Sequence, residues 1–266
     1  MAQRVFSRTG FCLWIAATIG AICVLPFVNA ILPQLSQEEV EPHGLSFFAL
    51  MALSIGQAAL LLGFMSFSGL WAARKLGMGA PVLDAWFGGE ALSFDLRRNL
   101  LIATAMGIGA GILLIALDLL IFVPLDPDGV GRIVHIQPPA WMGFLASFCG
   151  GITEEVQLRL FLLSFLALGI RVIRDSLLPA RNSPLPPPVF WSANIIAAVL
   201  FGLGHLPITA ELVPLTAPII VRAIVLNGIL GVLTGFLFWR RGIEMAMACH
   251  FSADILLHVL PPLVGY

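Results

Sequence analysis

Residues 140–170 read AWMGFLASFCGGITEEVQLRLFLLSFLALGI. The run is long enough to cross a bilayer, for which about 20 apolar residues suffice. Its middle nevertheless carries Glu154, Glu155 and Arg159. An ionised group at the centre of a membrane helix costs about 2.5–3.5 kcal/mol on insertion scales. A chain carries that cost when the groups are paired, line water or do chemistry. The rest of the sequence reads as the scaffold that makes this stretch tolerable.

Of the 266 residues 59% are hydrophobic and 11% charged, with a mean hydropathy of +0.98. Soluble domains carry about 25% charged residues, so the chain belongs in lipid. A transmembrane barrel would show short alternating segments, and none occur. The net charge of −1 gives no case for nucleic-acid binding. The expected fold class is all-α, a polytopic transmembrane helix bundle of about seven spans with a central polar intramembrane cavity. No polar block is long enough to fold alone, so a single integral membrane domain is expected. Within it, residues 1–139 supply N-terminal helices and an interfacial segment, and residues 140–266 supply the helices that bear the polar marks.

The spans are read as Phe11–Leu32, Leu45–Ala73, Leu100–Val123, Ala140–Ile170, Val189–His205, a sixth ending at Trp239, and Gly242–Leu260. Span 1 is expected to be retained, although Val28-Asn29-Ala30 resembles a signal-peptidase site. An acidic loop, Pro33–Gly44, follows it. Val82–Leu96 is expected along the interface, anchored by Trp86 and Phe87. Asp126-Pro127-Asp128-Gly129 signals a turn. Proline is read as a stop at Pro184–Pro188, at Pro207 and at Pro261-Pro262. Cys12, Cys23, Cys149 and Cys249 lie within spans without metal-ligand spacing and read as small apolar helix residues. His43 and His135 are loop histidines with no assigned role, and His258 reads as interfacial.

Charge sets the orientation. Arg4/Arg8, Arg74/Lys75/Arg97/Arg98, Arg171/Arg174/Arg181 and Arg240/Arg241 fall in alternate loops, while the opposite loops hold only Arg132. The positive-inside rule then puts the N-terminus in the cytoplasm and, after seven spans, the C-terminus outside. The compact length suggests a bacterial cytoplasmic membrane.

Three helices carry polar marks. Glu155 and Arg159 stand four apart on one helical face, with Glu first, the better order for an ion pair. Glu154 lies about 100° round the helix, so Arg159 holds Glu155 while Glu154 faces another partner. Gly150 and Gly151 let a second backbone approach. The second mark is Phe201-Gly202-Leu203-Gly204-His205, and the third is His250-x-x-x-Asp254, again four apart. Each alone is as well explained by an ion pair or a helix cap that ties helices together. Jointly they bring one Glu and two His from separate helices into an apolar interior. Such a set can hold a water, with Glu as general base and the His residues as donors or metal ligands. It can also relay protons.

E-E-x-x-x-R, F-x-x-x-H and H-x-x-x-[N/D], in this order on successive membrane helices, resemble the CPBP family. That family comprises the CAAX prenyl endoproteases and bacteriocin-processing enzymes, also called the Abi family. The resemblance covers Gly150 to His258. It implies an intramembrane protease acting on a peptide or protein substrate at the lipid bilayer. It implies Glu154 as the water-activating carboxylate, Glu155 and Arg159 as its supporting pair, and His205 and His250 as groups that position the water or hold the oxyanion. Asp254 stands where the family often has Asn. Family members have been described as glutamate-type and as metal-dependent proteases, so a zinc on His205 and His250 stays open. Oligomeric state is not legible.

Depth imposes a condition. At about 1.5 Å per residue, Glu154 lies roughly 20 Å from the outer start of span 4, and His250 roughly 12 Å from the inner start of span 7. The two agree on a level nearer the cytoplasm, toward which the site is expected to open. His205 joins them if span 5 is short, with Ser192 and Asn194 projecting into the cytoplasm and Pro207–Pro218 irregular. Two rival functions remain: a non-catalytic immunity or regulatory protein, and an ion or proton transporter whose relay would include Asp118, Arg222 and Glu244. The lack of an internal repeat counts against the transporter.

Overall fold

In hydrocarbon every backbone N–H and C=O must be satisfied within its own segment, so long apolar runs become helices. The computed structural model describes residues 1–32, 47–177 and 185–265. The acidic loop with His43, the start of span 2 at Leu45, and Arg181 and Pro184 lie outside the described residues. Seven of the described helices are long and apolar enough to cross a membrane: Ala2–Ile31, Met51–Lys75, Leu96–Leu125, Ala140–Leu177, Pro187–Leu212, Ala217–Arg241 and Ile243–Val264, spans 1 to 7. The protein is an all-α integral membrane protein, with no strand among the described residues.

Several spans run past the sequence-based limits at their arginine-bearing ends. Span 1 starts at Ala2, span 3 at Leu96, and span 4 continues to Leu177. Arg4, Arg8, Arg97, Arg171 and Arg174 therefore ride on the last helical turns, where long side chains cover apolar surface and keep the charge in water. The interfacial segment is a short helix, Pro81–Gly88, ended by Gly89 at φ 69. Trp86 is exposed on it. Glu244 caps its start, accepting the N–H groups of Val82 and Leu83 at 2.9 Å each. Asp84 accepts from Arg74 and Thr9, each at 2.7 Å. These contacts gather the basic ends of spans 1, 2 and 7 on one face. Glu244 is thus a cap at that face.

Proline ends neither span 5 nor span 7. Pro207 sits in the first turn of Leu206–Leu212, and Pro261 and Pro262 sit in the first turn of Leu260–Val264. In a first turn the missing N–H would have had no partner anyway, so proline is tolerated there. Span 5 is interrupted by a single turn residue at His205, and the irregular stretch shrinks to residues 213–216. Asn194 does not project into water either. It is buried, and its Nδ2 donates to Val232 O at 3.0 Å in span 6. Phe190, one turn earlier, is buried and stacked on Trp239 with centroids 4.1 Å apart.

Among the described residues four stretches are π-helical, with bonds widened to i→i+5: Asp118–Phe122, Cys149–Glu154, Val156–Leu163 and Ile255–Val259. Glu155 and Arg159, four apart, still meet at 3.2 Å where the third of them begins.

The bundle has two apolar centres. One fills the basic end with Leu70, Leu160, Leu163, Phe190, Ile243 and Ala246. The other lies toward the opposite end and includes Leu114, Phe122, Ile219 and Leu230. Beside the second, Arg222 of span 6 donates from Nε and Nη2 to the two oxygens of Asp118 at 2.6 Å each. Nearby, Asp126 accepts from the Thr216 hydroxyl at 2.7 Å and from Gly129 N–H at 2.9 Å. These donors, Thr216 first, hold its carboxyl below the usual range.

The Asp118–Arg222 pair is half-buried, so its loss should cost more than the ~1 kcal/mol of an exposed pair and less than the ~3–5 kcal/mol of a fully buried one. Asp118→Asn is expected to lower the thermal midpoint in detergent, and the swap Asp118→Arg with Arg222→Asp to recover part of it. Thermal unfolding followed by size exclusion checks this.

Candidate active site

The site starts from two glycines. A methyl group at Gly150 would run into the Asp254 carboxylate and lie 3.2 Å from His250 Nε2, and one at Gly151 would lie 2.8 Å from Phe251 Cβ. Lacking side chains, these residues let span 4 lie directly against the His250–Asp254 turn of span 7. The π segment that begins there is pinned to span 1, where the Thr153 hydroxyl donates to Ala17 O at 2.7 Å.

Glu155 is fully buried, at 0% exposure, with Arg159 at 2%. Its Oε1 lies 3.2 Å from Arg159 Nη1 and accepts from His250 Nδ1 at 2.7 Å. A carboxylate held by arginine only accepts, so Nδ1 carries the hydrogen. That leaves His250 Nε2 facing Glu154 Oε2 at 3.8 Å and Asp254 Oδ1 at 3.7 Å. Glu154 itself is 26% exposed, and that exposure is into a cavity of about 420 Å³ that it lines. The two carboxylates are divided as the spacing requires: one is spent on its neighbours, and one faces open space.

Phe201 connects the three marks. Its ring lies 4.8 Å from the His205 ring and 5.9 Å from the His250 ring, centroid to centroid. The Arg159 guanidinium sits over it at 4.9 Å, a cation–π contact of the kind favoured in desolvated sites. His205 donates from Nδ1 to Phe201 O at 2.9 Å, leaving Nε2 as its available ring atom. His205 lines the same cavity as Glu154, His250 and Asp254. The structure thus brings all six sequence-derived residues into one cluster. It does so without shortening span 5, which runs on to Leu212.

Sequence reasoning missed three contributors. Phe201 was visible as the first letter of its motif, with no hint of its triple contact. His258, read as interfacial, lines the cavity, lies 4.0 Å from Asp254 Oδ1 and packs edge-on against Phe27 at 5.3 Å. Its spacing of four from Asp254 was the available signal. Cys149 also lines the cavity, and all four cysteines are free thiols. Asp118 and Arg222, weighed before as relay groups, pair with each other on the cavity wall.

The cavity does not open toward the arginine-rich end, as the depth argument expected. Its walls climb to Ile31, Gln137, Leu212 and Pro262, all at the opposite end, while the basic end is filled by apolar side chains.

A metal was tested against the donors. Among the described residues no three His, Cys, Asp or Glu side chains converge as ligands would. A zinc site closes with three protein ligands at least, and the described side chains as placed do not supply them.

Residues 136–256 match the family described as Type II CAAX prenyl endopeptidase Rce1-like. The match spans the three motifs and bears out the resemblance to CPBP proteases over that part of the chain. No curated protein and no solved structure matches. The matched family is one of endopeptidases.

Removing one partner of a buried ion pair leaves the other uncompensated and costs about 3–5 kcal/mol. Glu155→Gln should therefore destabilise strongly, while Glu155→Gln with Arg159→Met should recover much of the loss. Gly150→Ala should cost about 1–3 kcal/mol by overpacking against Asp254. Thermal melts in detergent of the four proteins, wild type included, test both statements.

Proposed function

We propose that the protein is an intramembrane endopeptidase that cleaves a peptide bond in a membrane-associated protein or peptide, using a water activated by Glu154. One observation carries this reading: of the two adjacent glutamates, Glu154 is the one left facing the cavity after Glu155 is committed to His250 and Arg159. Glu154 takes a proton from the water as its oxygen bonds to the carbonyl carbon. The same carboxyl then returns the proton to the departing nitrogen as the C–N bond breaks, giving a carboxylic acid and an amine.

The histidines divide the remaining work by their hydrogen bonds. Each has Nδ1–H donated inward, to Glu155 for His250 and to Phe201 O for His205. Each therefore turns Nε2 to the reaction. Neutral His205 accepts from the attacking water there; protonated, it donates to the oxyanion, which demands a donor at about 2.7–3.1 Å. His250 Nε2, between Glu154 and Asp254, orients the base. Glu155 and Arg159 position His250 and touch no substrate.

General acid–base groups contribute typically ~10²–10⁴-fold. Glu154→Gln is expected to reduce cleavage of a casein-derived fluorogenic peptide mixture by that factor, with elution volume and helical circular dichroism unchanged. Undiminished cleavage would sink the reading and favour a non-catalytic regulatory member of the family. Metal analysis of the same preparations decides the cofactor: stoichiometric zinc, lost in His205→Ala, would place a metal on His205 and His250 after all.

A further inference from the structure

The cavity and the charge distribution are independent observations, and together they say from which side of the membrane the site is reached. Among the described Lys and Arg residues, Arg159 and Arg222 lie in the bundle and are paired, and Arg132, on the short helix Val130–Val134, is at the cavity end. The other described ones sit at the opposite end, where Arg74, Asp84, Thr9 and Glu244 knit the surface helix to spans 1, 2 and 7. The positive-inside bias sets membrane orientation by such loop charges. The arginine-rich end is then cytoplasmic and the cavity end is not.

The interior agrees with a one-sided site. Between Glu154 and the basic end lie Val156, Leu160, Leu163, Ile243, Ala246 and Cys249, each fully buried. This filled layer leaves a peptide no route from the cytoplasm. On the other side the walls are helix ends and the connection before span 4, represented by Phe27, Gln137, Leu212 and Pro261. They are mainly apolar, with the Asp118–Arg222 pair and Asn227 as polar points.

The geometry points to a site that takes its substrate from the non-cytoplasmic side: an apolar, extended peptide segment of an exported or outer-leaflet-anchored protein. The inference rests on the peptidase reading for the nature of the occupant, while the side of access rests on charge and shape alone. An isoprenylated tail made in the cytoplasm would meet the closed end, so the chemistry fits a segment that has already crossed the membrane.

Three single substitutions test it in cells expressing the full chain: Gln137→Cys at the mouth, Asn227→Cys within the cavity and Arg97→Cys on the basic face. Wild type, with its native thiols, is the blank. A membrane-impermeant charged maleimide added to intact cells is expected to modify Gln137→Cys and Asn227→Cys at least tenfold faster than Arg97→Cys. In inverted vesicles Arg97→Cys should be the fast one. Labelling of Arg97→Cys on intact cells in place of Gln137→Cys overturns the orientation. Labelling of Asn227→Cys only from the Arg97 side overturns the one-sided access. Labelling needs no turnover, so an inactive protein or an insensitive Glu154→Gln would defeat the peptidase reading and leave the access result standing.

Discussion

Everything at the centre of this bundle hangs on one buried carboxylate. Glu155 has no exposed surface, yet it carries charge at membrane depth because one of its oxygens is shared between Arg159 and His250. Arg159 comes from its own helix and His250 from span 7, so the oxygen is both charge compensation and helix clamp. The other oxygen of Glu155 and both Nη1 and Nη2 of Arg159 have no hydrogen-bond partner among the described residues. A buried pair satisfied on one side only is poor value for stability, since well-packed apolar residues of the same volume commonly do as well or better. Its retention is better explained by what it fixes. It sets the tautomer and tilt of His250, and through them the position of Glu154.

The backbone around that node departs from the α-helix. Span 4 is π-helical from Cys149 to Glu154 and again from Val156 to Leu163, and span 7 changes just after Asp254. π segments concentrate at functional sites because the extra residue per turn redirects side chains that an α-helix would hold in line. Here they occur where Gly150 and Gly151 bring spans 4 and 7 into close contact. The glycines permit the approach, and the widened turn leaves adjacent glutamates on different business, one to the protein and one to the cavity.

The number, order and approximate place of the spans were legible in hydropathy because lipid leaves the backbone one option. The six site residues were legible because charge in an apolar run is conspicuous, and i, i+4 spacing survived even where the backbone is π-helical. What was not legible depends on proline and on depth. Proline in a run reads as a stop, but Pro207 and Pro261 occupy first turns, where the same chemistry is a start signal. Polar Asn194 reads as water-facing, yet its amide is spent on Val232 O in a helix contact. The direction of the cavity was hidden for a different reason. Distance along a helix places a residue in depth, but only side-chain filling shows which end is blocked.

The two histidines close the argument about division of labour. Both present the same ring atom to the cavity, since both have Nδ1 engaged by an acceptor fixed in the fold. The acceptors differ in kind. Phe201 O is a neutral carbonyl. His250 is held by an ionised group and faces two more acids. On the peptidase reading proposed above, that difference suits His205 to respond to the oxyanion and His250 to hold the base still. The Phe201 ring is their common neighbour.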